Sequence, residues 1–280
     1  MPTKLRRRLD EQGSAYGVVS LLGESAVSAL VESAWDFVLL DCQHGPFDEA
    51  TAADVVRRLA GAPVAVLVRV SRLDGALIGR VLDAGADGVV IPTVESAAQS
   101  AEAVAAVHFP PSGHRSFGPG RPDLPAEPAE LADRADCFVM IESAGGLENL
   151  RDIVHTPGIS GVLVGPVDLG LALGVLPAEV IGSPVVAAAM AEIVAECDRA
   201  GVVAGSFGFS TGHAAALSAA GFSCITVGTD EQHLLAAGSS TVDALRSGSA
   251  IPSGRQAHEA VPYGRPSGVS GGNGSRARRD

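Results

Sequence analysis

The chain has 280 residues, 46% hydrophobic and 19% charged, enough apolar mass for one large α/β domain or two small ones. Its net charge of -12 repels phosphate backbones and anionic lipid, which argues against nucleic acid and membrane surfaces as partners. No apolar run is clean enough to span a bilayer, and no secretory segment follows Lys4, Arg6, Arg7 and Arg8; four scattered cysteines without a Cys-x-x-Cys pair read as reduced thiols, so a cytoplasmic protein is expected.

Short apolar runs follow one another along the chain, at 16–21, 37–40, 64–70, 88–91, 137–141, 161–164, 202–206 and 224–227. They are continuous rather than alternating, as befits parallel strands buried on both faces. Amphipathic stretches lie between them: 25–33, 47–59, 73–84, 96–107, 147–154, 185–200 and 211–220, with a last one over 231–245. Strand and helix in alternation predict a (β/α)8 TIM barrel rather than an open sheet. The stretch 109–128, rich in Pro and Gly, is longer than an ordinary connection and reads as a functional loop. From residue 247 Ser, Gly, Pro and Arg dominate. The expectation is a single barrel domain over 1–246 and a disordered tail over 247–280.

Polar residues that follow the apolar runs are candidates for chemistry, because such barrels carry it at the C-terminal ends of their strands. Asp41 and His44, in Asp41-Cys42-Gln43-His44-Gly45, are spaced to hydrogen-bond, with the carboxylate orienting the imidazole as a base. The alternative is a helix cap beside a surface histidine. Arg69 interrupts an apolar strand, either as a clamp for a carboxylate or as a buried ion pair with a neighbouring strand. Glu142 and Asp168 end or follow adjacent runs without His or Cys nearby, which suits a hard divalent cation such as Mg2+ or Mn2+, and Co2+ is also admitted; two solvated helix caps are the other reading. Asp83, at a helix end, and Arg115, in the long loop, have solvated or loop-pinning alternatives, and Arg115 could equally contact an anionic substrate. A Schiff base needs a desolvated lysine on the scaffold, and the only lysine is Lys4, in the leading segment. No Gly-x-Gly-x-x-Gly follows a strand, so no nucleotide cofactor is expected.

Taken together these stretches resemble the HpcH/HpaI aldolases of the pyruvate and phosphoenolpyruvate barrel superfamily. The resemblance is carried by 36–45, 82–92, 110–115, 140–143, 161–169 and 228–230. It implies a metal-dependent aldolase acting on a 2-oxo acid and an aldehyde through a pyruvate enolate. Glu142 and Asp168 would be metal ligands, Arg69 would hold the pyruvate end, and His44 would be the acid/base paired with Asp41. Asp83 would reach a neighbouring subunit's site in a homo-oligomer, trimer or hexamer, and Gly165, Pro166 and Val167 would line the pyruvate pocket. Gln43 stands where many relatives have Glu, and the first strand lacks their tryptophan. A citrate-lyase-β-like thioester lyase, an oxaloacetate decarboxylase and a non-catalytic 2-oxo-acid-binding barrel are the alternatives.

Overall fold

The computed structural model describes residues 3–118 and 120–248. The chain divides into two compact units, Met1–Leu235 and Ala236–Asp280. The first opens with α1 (Lys4–Gln12), β1 (Ala15–Ser20), α2 (Glu24–Leu30), β2 (Phe37–Asp41), α3 (Glu49–Arg58), β3 (Ala65–Arg69), α4 (Gly75–Asp83), β4 (Gly88–Ile91) and α5 (Ala97–Val107). It continues through α6 (Pro128–Ala132), β5 (Asp136–Ile141), α7 (Ala144–Glu148), α8 (Leu150–Val154), β6 (Gly161–Val164) and α9 (Pro166–Ala172). It ends with α10 (Pro184–Ala200), β7 (Val203–Gly208), α11 (Thr211–Ala219), β8 (Cys224–Thr229) and the start of α12 (Asp230–Ser247). In the second unit residues 236–247 are helical, with Val242 and Leu245 exposed. The expected tail falls on residues of which 249–280 lie outside the described ones.

The strands pair in chain order, all parallel, and β1 pairs with β8, closing the barrel. Side chains alternate across each strand. Phe37 and Leu39 of β2, Ala65 and Leu67 of β3, and Phe138 and Met140 of β5 fill the interior. Val38, Leu40, Val66, Val68 and Val139 face outward into a second cluster with the helices. Each fully buried large side chain contributes roughly 2–3 kcal/mol. Filling the interior needs a gap in β1: a Cβ on Gly17 would lie 2.4 Å from the Phe37 ring.

The same alternation sets the chemistry. Two residues beyond Leu39, Leu67 and Met140 come Asp41, Arg69 and Glu142, so these three continue the inward row at the C-terminal mouth of the barrel. The opposite foot is covered by α1, a helix in the leading segment, where the sequence reading expects no element. Thr3 caps that helix through Arg6 N, Gly13 ends it at φ 74°, and Leu5 joins the interior cluster. Lys4 Nζ lies 3.2 Å from Asp87 and 3.3 Å from the Val64 carbonyl, beside the feet of β3 and β4. The chain's one lysine is therefore spent at the end of the barrel away from the mouth.

The predicted helix over 147–154 is two short helices, α7 and α8, that meet at Asn149. The Asn149 side chain donates to the Gly145 and Glu95 carbonyls, so it competes with regular helix at the junction.

Candidate active site

Asp41 and Arg69 are direct partners in the β2–β3 register. Arg69 donates to both carboxylate oxygens of Asp41, from Nε at 2.8 Å and Nη2 at 2.5 Å. Asp41 also accepts the backbone N–H of Gln43 at 2.9 Å and of His44 at 3.3 Å. Burial pushes the Asp41 carboxyl up, but hydrogen bonds and charge from Arg69, with the two backbone donors, outweigh it and hold it below the ordinary value.

The expected hydrogen bond between Asp41 and the His44 imidazole is not made. Arg69, fixed opposite Asp41 by the sheet, offers two charge-assisted bonds and takes the carboxylate first. Asp41 shapes the loop through backbone donors, and His44 is exposed at its tip. Arg69 proves to be the ion pair with a neighbouring strand, and it also faces open space. Its guanidinium lies 5.1 Å from the centroid of the Phe207 ring, with Nη1 3.9 Å from Met140 Sδ. Asp41, Arg69 and His44 share a cavity of about 210 Å³ with Phe207, Phe209 and Thr226.

Glu142 is buried and accepts the backbone N–H of Thr93 at 2.7 Å. Thr93 has φ 52°, a left-handed conformation that costs a β-branched residue energy and here aims its N–H at the carboxylate. Burial first, then the charge of Asp168, raises the Glu142 carboxyl; Thr93, Arg69 and His44 act in the opposite sense. Glu142 thus feels the charges of Asp168, Arg69 and His44. Asp168 lies in the first turn of α9, exposed, with no hydrogen-bond or ion-pair partner among the described residues. Gly165 and Pro166 open that turn; a Cβ on Gly165 would stand 2.7 Å from Glu142 Oε2. Val167, half-buried, follows.

Among the described residues no group of three or more His, Cys, Asp and Glu side chains is gathered as a metal site. A cation here would take oxygens from Glu142 and Asp168 and its remaining ligands from water and substrate, a pattern that suits Mg2+ or Mn2+. The donors fit such an ion: the buried Glu142 carboxyl is raised by burial and by the charge of Asp168, and Gly165 leaves the space over Glu142 free of a side chain.

Asp83 and Arg115 are placed elsewhere. Asp83 ends α4, the helix that returns the chain toward the foot of β4, and receives Arg115 Nη2 at 2.7 Å. The Arg115 guanidinium lies 4.7 Å from the Phe109 centroid, and its side chain is 1% exposed. Within one chain Arg115 therefore pins the long loop to α4 and does not line the cavity. The ion pair with Asp83 is the contact that the loop-pinning alternative describes. Asp83 borders a different hollow of about 370 Å³, with Arg57, Arg80 and Ser116.

Several residues at the mouth carry no role in the sequence reading. Asp230 accepts from Ser20 Oγ, Leu21 N, Leu22 N and Glu231 N, tying the end of β1 to the start of α12. The pattern Gly228-Thr229-Asp230 marks its position, but which backbone it binds depends on barrel closure. Phe207 and Thr226 come together with Arg69 only because β7 and β8 curve round to β1. Thr93 carries no sequence signal, since its part is played by a backbone N–H.

Residues 19–237 match the model of the HpcH/HpaI aldolase/citrate lyase family. A hydroxypyruvate/pyruvate aldolase of Paraburkholderia phytofirmans is 33% identical over 259 residues, 87% of this chain and 97% of that protein. The crystal structure of an HpcH/HpaI aldolase/citrate lyase family protein from Burkholderia cenocepacia superposes with a TM-score of 0.79 at 31% identity, over 87% of this chain and 99% of that one. An HpcH/HpaI aldolase from Desulfitobacterium hafniense gives 0.77 at 27% identity, over 86% and 96%.

Proposed function

The chain belongs to the HpcH/HpaI aldolase/citrate lyase family and is a carbon–carbon lyase of aldolase type; on that footing we propose that it cleaves or forms 4-hydroxy-2-oxo acids at a site built from Glu142, Asp168, Arg69 and His44. The observation that carries this reading is a buried carboxylate, Glu142, acted on at one barrel mouth by the charges of the exposed Asp168, the Arg69 guanidinium and the exposed His44 imidazole.

Glu142 and Asp168 would hold a divalent cation, Mg2+, Mn2+ or Co2+, which would supply Lewis acidity toward the 2-oxo acid. Arg69 supplies a fixed positive charge to the keto oxygen, where negative charge develops as the C3–C4 bond breaks. Its orientation is set in advance by Asp41 and Phe207, so it need not reorganise during the reaction. His44, at the open side, takes the proton of the C4 hydroxyl directly or through a water. The aldehyde leaves from the mouth, and C3 of the resulting enolate is protonated to give pyruvate. Gly165, Pro166 and Val167 form the wall beside Glu142 that receives the carboxylate end. Asp83, which borders the hollow lined by Arg57 and Arg80, would serve the site of a neighbouring copy in a trimer or hexamer.

Release of pyruvate from a 4-hydroxy-2-oxo acid tests the reading, before and after EDTA and with Mn2+ or Mg2+ restored. Metal-restored release is expected. Undiminished turnover in excess chelator, or full activity in Glu142→Ala, would overturn it.

A further inference from the structure

Thr226 Oγ1 is buried and has no hydrogen-bond partner among the described residues. The residue is 1% exposed and stands on β8 in the inward row of Cys224, beside Phe207 of β7 and Gly17 of β1 in register. It lines the cavity that holds Asp41, Arg69 and His44. Valine fills nearly the same volume and strands no hydroxyl, so an unmatched threonine at this place is a standing cost unless a ligand meets it.

The group that meets it is neutral. A single hydroxyl beside Val19 and Phe207 cannot offset the desolvation of a second carboxylate, whereas it can exchange a hydrogen bond with another hydroxyl. The group is also on the component that binds deep. His44 is exposed at the entrance, where the aldehyde arrives last and leaves first, while Thr226 lines the same cavity from a buried position. With the keto oxygen assigned to Arg69 and the carboxylate end to the wall formed by Gly165, Pro166 and Val167, the remaining neutral position on that component is C3.

We infer that Thr226 is a specificity-determining residue whose hydroxyl engages a hydroxyl on C3 of the 2-oxo acid, so that a 3-hydroxylated donor is favoured over pyruvate. The assignment rests on the aldolase reading above. In the synthetic direction C3 loses one proton, the C3–C4 bond forms, and the aldehyde oxygen gains a proton; the C3 hydroxyl is retained throughout and serves as a handle.

The test measures kcat/KM for hydroxypyruvate and for pyruvate with one fixed aldehyde, on the full chain loaded with Mn2+. The hydroxypyruvate-to-pyruvate ratio should fall by roughly 10- to 100-fold in Thr226→Val, equivalent to the loss of one buried hydrogen bond. Thr226→Ser should stay within about threefold of wild type, because it keeps the hydroxyl. A ratio unchanged in Thr226→Val, or a ratio that drops as far in Thr226→Ser, overturns the assignment. If the valine variant does not fold, Thr226→Ala takes its place with the same criterion. If the wild type turns over neither donor, the aldolase reading falls by itself. Calorimetric Kd values for the two acids then decide Thr226 separately: a preference for hydroxypyruvate that vanishes in the variant supports it, and equal Kd values overturn it.

Discussion

Among the described residues, two arginine–aspartate pairs have nearly the same construction. In each, a guanidinium is bonded to one carboxylate and set against one phenylalanine ring: Arg69 with Asp41 and Phe207, Arg115 with Asp83 and Phe109. They differ in what surrounds the charge. Arg69 ends a strand and borders an open cavity, with its partner 2% exposed at the side chain. Arg115 lies within the loop between α5 and α6 and closes on the last residue of a helix, whose side chain is 26% exposed. Burial pushes the Arg115 pKa down and Asp83 pulls it up, yet a guanidinium stays charged at any working pH, so the pair is a fastener. The same chemistry thus borders an open cavity at a strand end and fastens a loop at a helix end. The position in the barrel separates the two roles.

The widest gap between the pairs should be kinetic. Arg69→Ala is expected to lower kcat/KM for 4-hydroxy-2-oxo acid cleavage by about 10³-fold or more, against less than about tenfold for Arg115→Ala. Comparable losses in steady-state assays would erase the distinction. Arg69→Lys, which keeps charge without the fork, should fall between wild type and alanine.

Stability sharpens the comparison next. Removing Arg69 strands the Asp41 carboxylate in the interior, an expected cost of about 3–5 kcal/mol in urea unfolding. Removing Arg115 should cost about 1–2 kcal/mol, since Asp83 is open enough to hydrate. Asp230→Ala releases the Leu21 and Leu22 donors at the β1–β8 seam and should cost about 2 kcal/mol.

Acid should act on the first pair. The Asp41 carboxyl lies below its ordinary value when folded, so its contribution is full above the unfolded pKa of about 4 and is lost as pH falls through the folded value. Urea midpoints of wild type should therefore drop below about pH 4, and Asp41→Asn should flatten that part of the profile. The smallest effect is expected at the foot. Burial, reinforced by Asp87, raises the Asp136 carboxyl, although Thr3 and Ser160 donate to it. A raised folded pKa gives stability below the unfolded value that is lost as pH rises through the folded one. Asp136→Asn should then stabilise the protein at neutral pH by up to about 1 kcal/mol, visible as a small rise in Tm.

The sequence by itself determined the barrel, because strands buried on both faces must be apolar throughout and because helices intervene at every step. It also placed Asp41, Arg69, Glu142 and Asp168 at the strand ends, where polar residues interrupt those runs. The absence of a usable lysine was likewise a matter of sequence, and Lys4 is engaged with Asp87. Only tertiary structure decided the partners. Asp41 had His44 within reach along the chain and Arg69 across the sheet, and the register chose Arg69. The loop that holds Arg115 could have turned toward the mouth, and Asp83 drew it to α4. Phe207, Thr226 and Asp230 acquired neighbours through barrel closure, and Thr93 acts through its backbone. Spacing along one strand or loop governs which atoms can meet locally; which of them do meet is settled by the curvature and closure of the sheet, since competing charges are then brought to fixed distances.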